Sequence, residues 1–93
     1  MVSDKVLVLS GYVEISSKRL RVMNVLSQDV KMPKNIAEES NILQNHISKI
    51  LRDMKMHDLV VCINEEARKG RLYRLTPLGV DVKEHLVEKG VIR

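Results

Sequence analysis

Between positions 44 and 55, polar side chains recur at helical spacing: Gln44, Asn45, His46, Ser48, Lys49, Arg52 and Lys55. Together they carry amide donors and acceptors, a hydroxyl and positive charge, with no large apolar group on that face after Leu43. Carboxamides can bond an adenine edge in two places at once, and lysine and arginine neutralise phosphate. A helix of about fourteen residues is roughly 20 Å long, which suits the major groove of a duplex. Side chains at the start of such a helix reach deepest, so Gln44 and Asn45 are the first candidates for base contact, with His46, Ser48 and Lys49 next. Arg52 and Lys55, further along, are placed to meet phosphate. The bland alternative is a helical hairpin with a solvated outer face.

A second basic group follows at 68–71, where Arg68, Lys69 and Arg71 surround Gly70. On either side lie short apolar runs, Leu59 to Ile63 and Arg71 to Thr76, with Asn64 to Gly70 between them. Two such runs joined by a glycine-bearing loop predict a β-hairpin. A basic hairpin tip protects a sheet edge and aids solubility. One that directly follows a polar helix can also grip a phosphate backbone or a minor groove.

The elements that hold these groups are readable from caps and periodicity. Pro33 opens a short helix to about Ser40, with Ile36 and Ala37 inward and Glu38 and Glu39 in water. Asn41 stands where the chain must turn sharply, and asparagine tolerates the left-handed region. Ile42 returns to the core. The next helix starts at Leu43 or Gln44 and runs to His57, burying Ile47, Ile50, Leu51 and Met54. Upstream, Ser16 or Ser17 caps a helix to about Ser27 or Gln28, lined by Leu20, Met23 and Leu26 and widened by Val22 and Val25. Lys18, Arg19 and Arg21 at its start oppose the macrodipole, so helix stability does not account for them. Each is more simply solvated than bound to phosphate. Asp29 to Met32 reads as a linker. Thr76 caps a final helix with Pro77 at its first position, Val80, Leu86 and Val87 inward, and Gly90 as its stop. The tail from Val91 to Arg93 is apolar enough to pack, for instance on a second subunit. Residues 1–15 stay ambiguous: the run Val6 to Leu9 fits a strand or a short helix ending at Gly11, and it either covers the core or forms a homodimer contact.

The run from Pro33 to Val60, with Ala37, Ile42 and Ile47 at their intervals, resembles the helix-turn-helix of MarR- and ArsR-type winged-helix regulators. The continuation through HISKILRDMKMHDLV to EARKGRLYRLTPLG is more closely similar to small archaeal regulators of one domain. The likeness covers roughly Tyr12 to Val87. Asn41 and Asp58 stand where those families favour glycine, and Leu43 where they favour a Ser or Thr cap. The resemblance implies an α+β, mostly helical fold: a winged helix-turn-helix with a three-helix core, a β-hairpin wing and a C-terminal helix. Within one domain over 1–93, the N-terminal segment would be 1–15, the helix-turn-helix 33–57, the wing 59–76 and the last helix 77–89. It also implies a transcriptional regulator that binds double-stranded DNA, expected as a homodimer. The alternative is a winged-helix protein–protein module with only non-specific DNA binding.

Composition narrows the field in the same direction. With 93 residues there is room for one modest core. At 44% hydrophobic and 30% charged, the chain is too rich in aliphatics for disorder. It lacks Phe and Trp and has two Tyr, which argues against a stacking surface for single strands. A net charge of +4 and a pI near 9.4 suit a phosphate-bearing partner. His46, His57, His85 and the single Cys62 are too scattered for a zinc motif, and no glycine-rich phosphate loop or nucleophile elbow is present. The expectation is no cofactor, no metal and no enzymatic activity. No secretory signal and no membrane-length apolar run are visible, which points to the cytoplasm.

Overall fold

The computed structural model describes residues 3–92. Five helices and two strands follow in order: α1 (Asp4–Glu14), α2 (Ser17–Val25), α3 (Pro33–Ser40), α4 (Gln44–Met56), β1 (Val60–Cys62), β2 (Tyr73–Leu75) and α5 (Pro77–Glu88). The architecture is α+β and mostly helical, a winged helix.

The ambiguous start of the chain is a helix, and it runs through Gly11 rather than ending there. Ser3 caps it, accepting the Val6 amide at 3.2 Å. Its inward positions are Val6, Leu9, Ser10 and Val13, a helical period in which a serine replaces one hydrophobe. This face packs on α5 and α2. Ser16, not Ser17, caps α2 through the Arg19 amide. That helix ends at Val25, two or three residues earlier than expected, because Leu26 is already extended (ψ 149°). The chain leaves the helix to pair with the wing.

That pairing replaces the expected linker. Lys31 and Tyr73 exchange two backbone hydrogen bonds of 2.9 Å, and the Leu75 amide donates to Ser27 O at 2.8 Å. β1 and β2 are antiparallel, with Val60 opposite Leu75 and Cys62 opposite Tyr73, and the Ile63 amide adds a bond to Leu72 O. The wing is therefore tied to the segment that enters α3, so wing and helix-turn-helix share a base.

α3 and α4 take their expected bounds within a residue. Asn41 and Asp58 both adopt left-handed backbone, at φ 57° and 62°. These are the two positions where short side chains that tolerate this region stand in for glycine. Ile36, Ala37, Ile42, Ile47, Leu51 and Met54 are buried, joined by Met23, Leu26, Leu59 and Leu75 in one aliphatic core.

α5 differs in its inward face. Val82 and Leu86 are fully buried beside Gly79, Val80 is half-buried, and Val87 is 46% exposed. Gly79, Val82 and Leu86 share one helical stripe, and Gly79 leads it by close backbone approach rather than by a side chain. After Gly90 (φ 77°), the Val91 and Ile92 amides both donate to Leu86 O, and Ile92 is buried in this chain's own core. The tail is thus used within the chain; Arg93 lies outside the described residues. Lys83 ties α5 to the end of α2, donating to Leu26 O at 2.6 Å and Asn24 O at 3.2 Å. Burial, and then the charge of Lys31, pushes its pKa below the usual lysine value. Among the described residues, no helix is long and apolar enough to cross a membrane.

Candidate nucleic-acid interface

The outer face of α4 and the tip of the wing border a single cleft. Gln44, Asn45, Ser48, Lys49, Arg52 and Lys55 line it from the helix, and Arg68, Lys69, Gly70, Arg71 and Tyr73 from the wing. Met32, Pro33 and Lys34 close it at the start of α3. Seven of the chain's 16 basic residues line this cleft and none of its 12 acidic ones. Charge is therefore partitioned as well as present, which focuses positive potential where two elements converge. Lys34, Met32 and Tyr73 are additions to the sequence-based set. Lys34 could have been flagged as a basic residue in the first turn of α3; Tyr73 depends on the strand register.

His46 is set apart from this cleft. It lies on the other flank of α4, in a groove with Ser16, Lys18, Arg19 and Asp53. Lys18 Nζ donates to its Nδ1 at 3.3 Å. The helical wheel explains the split: Asn45, Lys49 and Arg52 run down the middle of the exposed face, Gln44, Ser48 and Lys55 lie toward the wing, and His46 and Asp53 lie toward α2. Met56, 80% exposed, continues the outer face at the end of the helix, so that face does carry an apolar group beyond Leu43.

Not every cation is free. Ion pairs among the described residues are Lys31–Glu39, Lys55–Glu65 and Lys89–Glu14, which leaves Lys49, Arg52, Arg68 and Lys69 unpaired. Lys55 links the end of α4 to the wing loop. Arg71 is turned into that loop, its Nε donating to Ala67 O at 2.9 Å and its Nη2 to Glu65 O at 3.1 Å. Asn64 closes the loop from the other side, accepting the Leu72 amide at 2.7 Å and donating to Gly70 O at 3.1 Å. The wing is thus an internally bonded loop with Arg68 and Lys69 projecting from its tip.

The α2 cations likewise have local partners. Arg19 donates to Tyr12 O at 2.8 Å and stacks over the Tyr12 ring at 3.9 Å. Arg21 donates to Asn41 O at 3.3 Å, at the turn of the two-helix unit. The His57 ring also stacks on Tyr12, at 3.9 Å, while its Nδ1 donates to Asp53 O. Burial raises the Tyr12 pKa, with the charge of Arg19 opposing. These contacts fix the end of α4 against α1 and α2. Cys62 is buried, with its thiol directed to Asn64 Oδ1. No group of three metal-ligating side chains comes together among the described residues.

No family model matches the chain. No curated protein matches it either. Among solved structures, the crystal structure of the MarR family transcriptional regulator SPO1453 from Silicibacter pomeroyi DSS-3 aligns with a TM-score of 0.71 at 22% identity. The alignment takes in 94% of this chain and 65% of that one, so this chain spans about two thirds of that regulator's length. With the helix order, the left-handed turn and the hairpin already described, the architecture is that of a MarR-type winged helix.

Proposed function

We propose that this chain is a sequence-specific, double-stranded DNA-binding transcriptional regulator of the cell interior. α4 enters the major groove and the wing rests on the backbone or minor groove. The observation that carries this reading is the shared cleft: unpaired amides at the head of a helix and unpaired cations on a hairpin open onto one acid-free surface. The fold shared with a transcriptional regulator adds to it. Gln44, Asn45, Ser48 and Lys49 read base edges, with His46 at the flank. Arg52, Arg68 and Lys69 neutralise phosphate, while Lys55 and Arg71 contribute charge and hold the wing at its angle.

The salt dependence of binding tests the wing. Replacing Arg68 and Lys69 together with Ala removes two projecting charges and nothing from the core. Affinity should fall for all duplexes alike, and the slope of log K against log salt should flatten by about 0.9 for each phosphate no longer neutralised. An unchanged slope in titrations between about 50 and 200 mM salt would remove the wing from the interface.

The binding unit is a homodimer. On α1, Leu7, Val8 and Ile15 point away from the core, with Val8 71% and Ile15 81% exposed. Gly11 sits among them at helical spacing, and a Cβ there would meet nothing within 4 Å. A glycine inside a helix costs roughly 0.5–1 kcal/mol relative to alanine, and nothing within this chain offsets that. Close approach of a second α1 does. A dimer also sets two α4 helices on half-sites about 34 Å apart. Val8→Glu, a change at an exposed helical site, should leave the fold intact and shift sedimentation from dimer to monomer at micromolar concentration. A parent chain that sediments as a monomer would refute the arrangement. An adaptor module would instead offer the exposed apolar ridge of α1 to a different protein and bind DNA without sequence preference; the amides and cations gathered in the cleft favour the DNA-binding reading.

A further inference from the structure

Leu43 stands at the head of α4, and its side chain, unlike its backbone, makes no cap contact in the folded chain. Its backbone is extended (φ −60°, ψ 140°), and its carbonyl accepts the first helical amides, from His46 and Ile47. Its side chain is 66% exposed and makes no cap hydrogen bond. The neighbouring Ile42 already supplies the buried apolar group of the turn. α1, α2 and α5 use Ser3, Ser16 and Thr76 as hydroxyl caps, each accepting an amide three residues on. A leucine here forgoes that stabilisation and exposes an isobutyl group to water. The other strongly exposed hydrophobes have a different setting: Val8 and Ile15 lie on the α1 ridge, and Met56 shares a groove with Val8, His57 and Asp58. Leu43 is not part of that groove.

We propose that Leu43 reads the C5 methyl group of a thymine in the major groove. This rests on the DNA-binding reading above and names the base it selects. The thymine methyl is the apolar group that the major-groove edges of the four bases offer. Leu43 lies just outside the cleft between α4 and the wing, next to Gln44, which lines it. A helix docked by its N-terminal end brings the residue ahead of its first turn toward the base edges. A carboxamide at 44 or 45 is suited to adenine, whose partner in the pair is thymine, so amide and isobutyl together select an A·T-rich core. The half-site therefore has one thymine facing Leu43 beside one or two adenines facing Gln44 and Asn45.

The experiment begins with selection of duplexes by the full chain from a random pool. In the best duplex, each thymine is replaced singly by deoxyuridine, which removes the methyl and keeps the pairing. One thymine per half-site should be methyl-sensitive, with affinity falling about fourfold, the factor expected for burying one methyl-sized group. Leu43→Ala and Leu43→Ser should bind the thymine duplex more weakly and show no sensitivity to that replacement. Leu43→Ser should also melt higher than the parent, because it restores a cap, which separates base reading from helix stability. If no thymine is methyl-sensitive, or if both variants keep the parent's sensitivity, Leu43 does not read the methyl although the enriched sequence still supports the DNA-binding reading. If selection enriches no sequence, the DNA-binding reading itself fails and the assignment of Leu43 with it.

Discussion

Gly79→Ala should be the most damaging single methyl added to this chain, lowering the melting temperature by about 10–20 °C in a calorimetric scan. A Cβ at position 79 would lie 2.1 Å from the carbonyl oxygen of Leu59, and 3.2 Å from Leu75 Cδ2. The obstacle is backbone, and it is held from both sides. Leu59 N donates to Met54 O at 3.0 Å, and Leu59 O accepts from Thr76 N at 3.1 Å. The Thr76 hydroxyl donates to Asp58 O at 2.5 Å and accepts the Gly79 amide at 2.9 Å. Overpacking usually costs about 1–3 kcal/mol, and a site with no flexible side chain to yield belongs at the upper end. For a domain of this size each kcal/mol corresponds to about 4–8 °C. The consequence reaches the interface, because the first turn of α5 is bolted to the residues that leave α4 and enter the wing. A variant that remains folded should hold helix and wing at an altered angle and bind DNA less well. A melting temperature within about 2 °C of the parent would show that the close approach does not exist.

How far this arrangement could be read in advance differs from element to element, for physical reasons. α3 and α4 were legible because Pro33 marks a start, Asn41 and Asp58 tolerate the left-handed turns, and Ile47, Leu51 and Met54 repeat at the helical period. α1 was not, since Val6 to Leu9 is apolar without interruption and one of its four inward residues is Ser10. On α5, Leu86 was legible as an inward residue, but Val87 is exposed, and the leading contact residue, Gly79, has no side chain to show up in a hydrophobic pattern. The bridge between Lys31 and Tyr73 has no periodicity at all, being one residue long. The candidate surface divides in the same way. Helical spacing alone gathers Gln44, Asn45, Ser48, Lys49 and Arg52 on one face. That Lys55 is paired with Glu65, that Arg71 turns into its own loop and that His46 leans toward Lys18 are tertiary facts, set by partners 10, 4 to 6 and 28 residues away.

Replacing Gln44 and Asn45 with Ala should have the largest effect on recognition. Both side chains are exposed at the head of α4 and line the cleft, so their removal leaves the core untouched, and stability should move by less than about 0.5 kcal/mol. A bidentate amide–adenine pair discriminates by about 1–3 kcal/mol, so removing each one should cost roughly 5- to 150-fold in affinity for the selected site. The two residues are neighbours, so the double variant need not show the sum. Binding to scrambled DNA should be nearly unchanged, because Lys49, Arg52, Arg68 and Lys69 remain and phosphate contacts carry that affinity. The ratio of specific to non-specific affinity should therefore collapse while the salt slope stays as it was, the reverse of what removal of the wing cations does. Titration of both duplexes at two salt concentrations separates the outcomes. A double variant that keeps its preference for the selected sequence would move base reading away from the head of α4, since no other group on that face combines donor and acceptor in one planar amide.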